Sequence, residues 1–477
     1  MRIKLNKIIL SSFLIVFIFL IALIPRIYKL DSSITDWHSF RQADTAMVAR
    51  NFAQEGIDLL HPRTDNILAI SDSKIPNPNG YTFLEFPIYT LIVGYIWQFT
   101  GPAEWIGRLV SAIFSSIASV FIFLIVKKFS STKIAIISSI VFALTPYSIY
   151  YGRVIMPNST MVCFGLVSIW LFSKYYFENS KISLLLSAVF FALASLSYPY
   201  VIFWIIPIIY LALNKDGLFY YSIRYYSFFL ISFLPLFLWR AWGANFPEAQ
   251  IGSNWYFNYG NIRFTGAFFR WLIFERLSKL MLGTGGFVLV FIGLLSPRKH
   301  KENYFYFSWL LSMILYFVIF ASANVRHDYY QYIYMPIISI YVALGIDFVL
   351  KNGKSLIERG ISVTIAIILI TTSLAFGYYE VKGYYLTNPD IVEAGKKADQ
   401  LLDPNARVIA PLSGDLSLLY YVNRPGWAEF YEEISEFKNQ GATAIVSLKF
   451  DEGIEKLAKE NDVLYRTNKY IIISLNK

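Results

Sequence analysis

The sequence predicts a mainly α-helical protein, a polytopic membrane helix bundle followed by a small C-terminal α/β domain. Three observations predict it. Of 477 residues, 56% are hydrophobic and only 16% charged, a balance far from that of a soluble globular domain. The apolar residues gather into runs close to the roughly 20 residues a helix needs to cross a bilayer. Beyond Tyr385 the pattern changes, with frequent charges and apolar runs no longer than a strand.

The first run, Ile8 to Ile24, follows Arg2, Lys4 and Lys7 and continues into Pro25, Arg26 and Tyr28 without a small-residue cleavage site. It is expected to be a retained anchor helix. Further spans are expected at 105–126, 133–151, 158–177, 183–197, 200–213, 224–241, 280–296, 304–321, 330–350 and 361–380. Basic loops mark the cytoplasmic side. They occur at Lys127, Lys128 and Lys133, at Arg298, Lys299 and Lys301, and at Lys351, Lys354 and Arg359. This parity holds only if the stretch Pro87 to Phe99 does not cross, which makes it a juxtamembrane or re-entrant helix. The outer face then receives Asp31 to Glu85, Arg153 to Asn158, Trp242 to Lys279, Asn324 to Asp328 and the C-terminus.

Residues 1–384 are therefore expected to form the membrane domain, with an outer loop over 29–104, and 385–477 an extracytoplasmic α/β domain. In the latter, Ile391 to Leu402 has helical spacing, Asp403-Pro404-Asn405 reads as a turn, and Arg407 to Leu412 as a buried strand. Tyr431 to Asn439 reads as helix, Ala442 to Leu448 as strand, Glu452 to Lys459 as helix and Tyr470 to Leu475 as a closing strand. No Gly-rich phosphate loop is visible in this domain, and no internal repeat in the membrane part.

The formal charge of +10 does not point to nucleic acid, because the Lys and Arg residues sit in short loops between apolar runs. The one cysteine, Cys163, lies inside a run and cannot form an intrachain disulfide, so it reads as a small core residue.

Polar chemistry is densest after the first span: Asp36, His38, Arg41, Gln42, Asp44, Arg50 and Asn51 fall within one short segment. Phe40 to Phe52 is expected to be an amphipathic helix on the membrane surface, with Phe40, Ala43, Met47 and Phe52 inward. Arg50 and Asp58 read as charges solvating its polar side. Asp36 and His38 precede the helix and read as functional. The aromatic stretch Trp242 to Tyr259 fits either sugar and acyl-chain contacts or an interfacial belt.

The string Asp36-Trp-His-Ser-Phe-Arg-Gln-Ala-Asp-Thr-Ala-Met-Val-Ala-Arg-Asn-Phe, followed by Glu85-Phe-Pro-Ile-Tyr, resembles the bacterial branch of the GT-C glycosyltransferases. This branch is related to the protein O-mannosyltransferases and the lipid A aminoarabinose transferase. The resemblance spans nearly the whole chain. It includes Tyr151-Gly-Arg-Val-Ile-Met-Pro-Asn158, His327-Asp-Tyr-Tyr330, Leu418-Leu-Tyr-Tyr and Arg424-Pro-Gly-Trp.

The resemblance implies transfer of a sugar from a polyprenyl-phosphate donor to an acceptor outside the plasma membrane, with inversion at the anomeric carbon. Asp36 matches the first-loop acid that would take the acceptor proton, with Asp44 in reserve. Arg153, Arg326 and His327 would hold the donor phosphate. His38, Arg41, Glu85, Asn158, Tyr329 and Tyr330 would contact or orient substrate. A divalent metal ion is a candidate cofactor, with Glu85 and His327 as its candidate ligands. Two departures stand out. Asn158 occupies a position where an acid is common, and it cannot act as a base at neutral pH. The adjacent Asp-Glu pair of the protein mannosyltransferases is absent. Of the four histidines, His38, His61 and His327 fall on the outer side and His300 in a basic loop.

A transporter or flippase of an envelope lipid or glycan is the alternative. It would be expected to show repeated halves and ionisable residues near the bilayer midplane, whereas these charges cluster at span ends and in one loop. The sugar and the acceptor are not legible in the sequence.

Overall fold

The computed structural model describes residues 2–69, 74–250, 252, 254–297, 302–351 and 355–475. The expected basic loop at Arg298, Lys299 and Lys301, with His300, lies outside the described residues, as does Lys354. The chain divides into two compact units. One comprises 1–28, 109–239 and 253–383; the other 29–108, 240–252 and 384–477. The outer loop, assigned above to the membrane domain, thus clusters with the C-terminal segment.

In the first unit every apolar run carries helix: α1 Arg2–Arg26, α4 Glu104–Phe129, α5 Thr132–Leu144, α6 Pro146–Tyr151, α7 Asn158–Glu178, α8 Lys181–Ser197, α9 Ile205–Asp216, α10 Ile223–Gly243 and the later helices Gly285–Leu295, Glu302–Ile319, Met335–Lys351 and Leu356–Val381. Glu104–Phe129, Asn158–Glu178, Asp328–Lys351 and Leu356–Leu401 have the length and apolar content to cross a membrane.

Two expected spans are broken. The run 133–151 splits at Thr145, because Pro146 cannot donate to the preceding turn and starts α6 instead. The run 280–296 bends by 110° between Gly266–Met281 and Gly285–Leu295. Gly283 has φ +52° there, and a Cβ on it would sit 2.0 Å from the Ser373 carbonyl oxygen. Two other spans begin with a tight 3₁₀ turn, at Pro199–Trp204 and Asp328–Tyr334.

Glycines set the closest helix approach in this unit. A Cβ on Gly345 would lie 2.1 Å from the Leu289 carbonyl oxygen, and one on Gly293 would lie 2.1 Å from that of Tyr341. The backbones of Gly285–Leu295 and Met335–Lys351 therefore pack with no room for a side chain, as small residues permit between membrane helices. Gly345→Val must push the two helices apart. It is expected to destabilise the protein by at least the roughly 1–3 kcal/mol typical of overpacking. Thermal unfolding of the purified protein checks this, and an unchanged melting temperature would refute the close crossing.

The second unit holds α2 Ser39–Glu55, α3 Ile88–Thr100 and a five-stranded sheet. The 13 residues of α3 reach only about 20 Å, too short to cross a membrane. The strands are β1 Arg407–Ile409, β2 Gly426–Trp427, β3 Ala442–Ser447, β4 Asp462–Arg466 and β5 Ile471–Ser474, in the order β2-β1-β3-β5-β4. Strand β1 runs parallel to β2 and β3, while β5 is antiparallel to β3 and β4. Helix Pro389–Leu401 was expected; helix Ser417–Val422, β2 and β4 were not.

The loop enters this domain's core. Ile67 packs with Ile409, Trp427, Ile445 and Ile473, and Ile67 N–H donates to the Gly426 carbonyl at 3.0 Å. This enclosure corrects the expectation for α2. It is no surface amphipathic helix, because residues 41–43 and 45–52 are all buried. Nor is Arg50 a solvating charge: it is ion-paired with buried Asp65 and donates to the Tyr420 carbonyl at 2.5 Å. Asp58 is exposed and pairs with His61 at 2.8 Å.

Candidate active site

In the unit holding the outer loop, Asp36 sits just before α2 and is only 2% exposed. Gln42 Nε2 donates to its Oδ1 at 2.5 Å, and Arg108 Nη1 reaches its Oδ2 at 3.1 Å. Arg108, at the start of α4, also donates to the Ser33 carbonyl at 3.0 Å. A carboxylate so enclosed ties the approach of α2 to the start of α4. His38 follows with φ +58° and makes no side-chain cap for α2. Its ring meets Trp37 and Phe40 edge-on, and Trp37 stacks on Tyr384 at 4.8 Å.

One turn into α2, Arg41 is clasped by two carboxylates, Asp44 on the same helix and Glu85 from the segment before α3. Both acids are partly open to solvent, with 19% and 15% of their side chains exposed. Burial pushes the Asp44 carboxyl above its ordinary value, against the pull of Arg41. Burial likewise raises Glu85; Arg41 opposes this, Asp44 adds to it and Arg240 lowers it. Arg240 is held by the Phe83 and Leu84 carbonyls at 3.3 and 2.9 Å. Burial and the mutual repulsion of the two carboxylates thus outweigh the pull of Arg41 on both and of Arg240 on Glu85.

In the membrane unit a second polar cluster surrounds Asp328, which is 1% exposed. Tyr151 OH donates to its carboxylate at 2.6 Å, Tyr147 OH to its carbonyl at 2.6 Å, and Arg276 Nη1 lies 3.6 Å from Oδ2. Arg276 Nη2 also donates to the Val325 carbonyl at 3.2 Å, beside Arg326. Arg326 is exposed and lies over the rings of Trp255 and Tyr259, at 5.4 and 5.0 Å. His327 stacks on Tyr329 at 5.4 Å and meets Tyr330 at 6.0 Å. Asn158, at the start of α7, donates to the Tyr329 carbonyl at 3.1 Å.

Of the cations named from the sequence, Arg326 is solvent-accessible. Arg153 is fully buried, with its guanidinium 5.5 Å from the Tyr150 ring centroid. Arg276 was not singled out. It belongs to a π-helical segment, Arg270–Met281, a form that often marks functional positions. The segment also carries Arg270, Glu275 and Lys279, and nothing in its sequence sets Arg276 apart from them.

Among the described residues, no three His, Cys, Asp or Glu side chains gather as metal ligands. The Glu85 carboxylate is given to Arg41, so this donor set does not fit a divalent ion as arranged.

Residues 85–242 match the family model described as dolichyl-phosphate-mannose-protein mannosyltransferase. No curated protein sequence matches. Among solved structures, the chain is similar to ArnT from Cupriavidus metallidurans bound to undecaprenyl phosphate, with TM-score 0.66 and 12% identity over 98% of each chain. It is also similar to the Archaeoglobus fulgidus oligosaccharyltransferase in complex with Zn and sulfate, with TM-score 0.59 and 12% identity over 91% of this chain and 67% of that one. AglB from the same archaeon, in complex with an inhibitory peptide and a dolichol-phosphate, gives TM-score 0.62 and 11% identity over 92% and 69%. Identities this low speak for the fold, and the family model speaks for the segment it covers. The chain thus has the GT-C fold of these solved structures, and its residues 85–242 match the family of dolichyl-phosphate-mannose-protein mannosyltransferases.

Proposed function

We propose that this protein is a membrane glycosyltransferase that moves a sugar from a polyprenyl-phosphate donor to an acceptor hydroxyl outside the plasma membrane, with inversion. The observation that carries the reading is the cluster of Asp44, Arg41 and Glu85, a pair of partly exposed carboxylates with raised pKa values in a GT-C fold. A lipid carrier is supported by the relatives, whose structures hold undecaprenyl phosphate and a dolichol-phosphate.

The acceptor oxygen attacks the anomeric carbon and forms the new glycosidic bond. The bond from that carbon to the phosphate oxygen breaks, and the lipid phosphate leaves with the electron pair. The acceptor proton passes to a carboxylate. Asp44 suits this role better than Asp36, because its carboxylate is partly exposed and burial raises it above the ordinary value, as a proton acceptor needs. Asp36, closed in by Gln42 and Arg108, acts as a positioning residue. Arg326 and Arg276 supply charge for the leaving phosphate, which needs cations rather than a general acid.

Two experiments test this. Cells lacking the protein should accumulate its polyprenyl-phosphate-sugar, detectable by mass analysis of their glycolipids; an unchanged lipid profile together with a transport defect would favour the flippase reading. Cysteines placed at His38 and Lys127 fix the orientation. External reagent should label the first and spare the second, and the reverse pattern would put the carboxylate cluster on the wrong side for an extracytoplasmic acceptor.

A further inference from the structure

The membrane unit carries a second feature, unconnected with glycosyl transfer. Helices α8 and α10 enclose a groove of about 510 Å³ at the end of the bundle that also bears Lys127 and Lys128. Its floor is apolar and buried, built by Leu184, Ala188 and Phe228. Its rim is apolar and open, with Leu185 48% and Ile223 77% exposed. Lys181 and Arg224, each in the first turn of its helix, put two cations at one end of this groove.

The surrounding charges leave these cations uncompensated in sum. Arg224 donates to Tyr175 OH and Ser222 Oγ, both at 2.8 Å, and lies 3.8 Å from Asp216. Asp216 also accepts from Tyr225 OH at 2.5 Å. Glu178, at the end of α7, is taken by Lys128 at 2.7 Å. Lys215 lies over the Tyr175 ring at 5.0 Å and adds further positive charge. Lys181 is exposed and has no side-chain partner among the described residues.

An apolar groove on membrane helices is normally filled by an acyl chain. Two cations at its end match a headgroup with net negative charge, as in basic pockets between membrane helices on the cytoplasmic side. From Ser222 to Ile231 the helix rises about 13 Å, enough to seat the upper half of one chain. The geometry points to a binding site for an anionic glycerophospholipid, its acyl chain between α8 and α10 and its phosphate at Lys181 and Arg224. A zwitterionic lipid offers the same chain without net charge, so headgroup selectivity is the signature.

The test uses the purified full-length protein with dioleoyl phosphatidylglycerol or dioleoyl phosphatidylcholine, the retained lipid being counted by native mass spectrometry. The wild type should retain phosphatidylglycerol in clear excess. Lys181→Gln should cut that preference by about fivefold, the effect of one basic residue near an anionic headgroup. Lys181→Glu should cut it further. Because Lys181 is exposed and has no side-chain partner among the described residues, neither variant threatens the fold. Leu185→Trp, on the rim, should lower retention of both lipids. Equal retention of the two lipids by the wild type would overturn the site. So would an undiminished preference in Lys181→Glu, or unchanged retention in Leu185→Trp.

Discussion

Asp44→Asn is expected to lower turnover by roughly a hundredfold to ten-thousandfold, the usual range for loss of a general base. Asparagine keeps the shape and leaves Arg41 to Glu85 but cannot accept the acceptor proton. Stability should behave differently. The Asp44 pKa is raised in the folded state, so its ionised form is disfavoured there relative to the unfolded chain. Its contribution to stability is present below the unfolded value near 3.9 and is lost as pH rises through the folded value. Asparagine resembles the protonated form, so the variant should melt no lower than the wild type at neutral pH. Turnover of the wild type should fall on acidification, with a midpoint above the ordinary aspartate range, and Arg41→Ala should move that midpoint higher by removing the cation that opposes burial.

Asp36→Asn gives the contrasting pattern. It removes the carboxylate charge 3.1 Å from Arg108, whose side chain is 0% exposed. Breaking one side of such a pair costs about 3–5 kcal/mol. The melting temperature should therefore fall together with activity. Full stability and lost turnover in Asp36→Asn, with wild-type turnover in Asp44→Asn, would exchange the two roles.

Much of this arrangement was legible in the sequence, for physical reasons. Apolar length follows from what a bilayer demands of a helix, and the apolar runs are helical. The breaks were less visible because hydropathy does not register them, although Pro146 and the Gly283-Thr284-Gly285 string are the chemistry that causes them. Strand β4 escaped because all five of its side chains are exposed, leaving no buried face to pattern it. In the site, residue types were readable and pairings were not. Asp36 and Arg108 lie 72 positions apart, Arg41 and Glu85 44, and no spacing rule brings such residues together. Helix α2 was misjudged for the same reason: its polar residues look solvated until Asp65 and Tyr420 are placed against Arg50.

The largest expected effect in the membrane unit falls on lipid-phosphate binding. Arg326 is exposed and stacked on Trp255 and Tyr259, which fixes its planar guanidinium while leaving its donors available. Donor phosphate is charged in both ground and transition states, so losing this cation should weaken binding as well as turnover. One charge-assisted contact is worth about 1.5–3 kcal/mol, which places the affinity loss of Arg326→Ala between roughly tenfold and a hundredfold. Arg326→Lys should recover part of the binding through charge alone. Undecaprenyl phosphate without a sugar serves as the probe, so the measurement does not depend on knowing the transferred group. Arg276→Ala separates a second contribution. It removes the cation beside buried Asp328, leaving that carboxylate to Tyr151, so lower stability should accompany the weaker binding. In Asp44→Asn the affinity for the same probe should stay near the wild-type value. Equal affinity in Arg326→Ala and wild type would remove Arg326 from the phosphate site, and a matching loss in Asp44→Asn would mean that acceptor and donor functions are not divided between these residues.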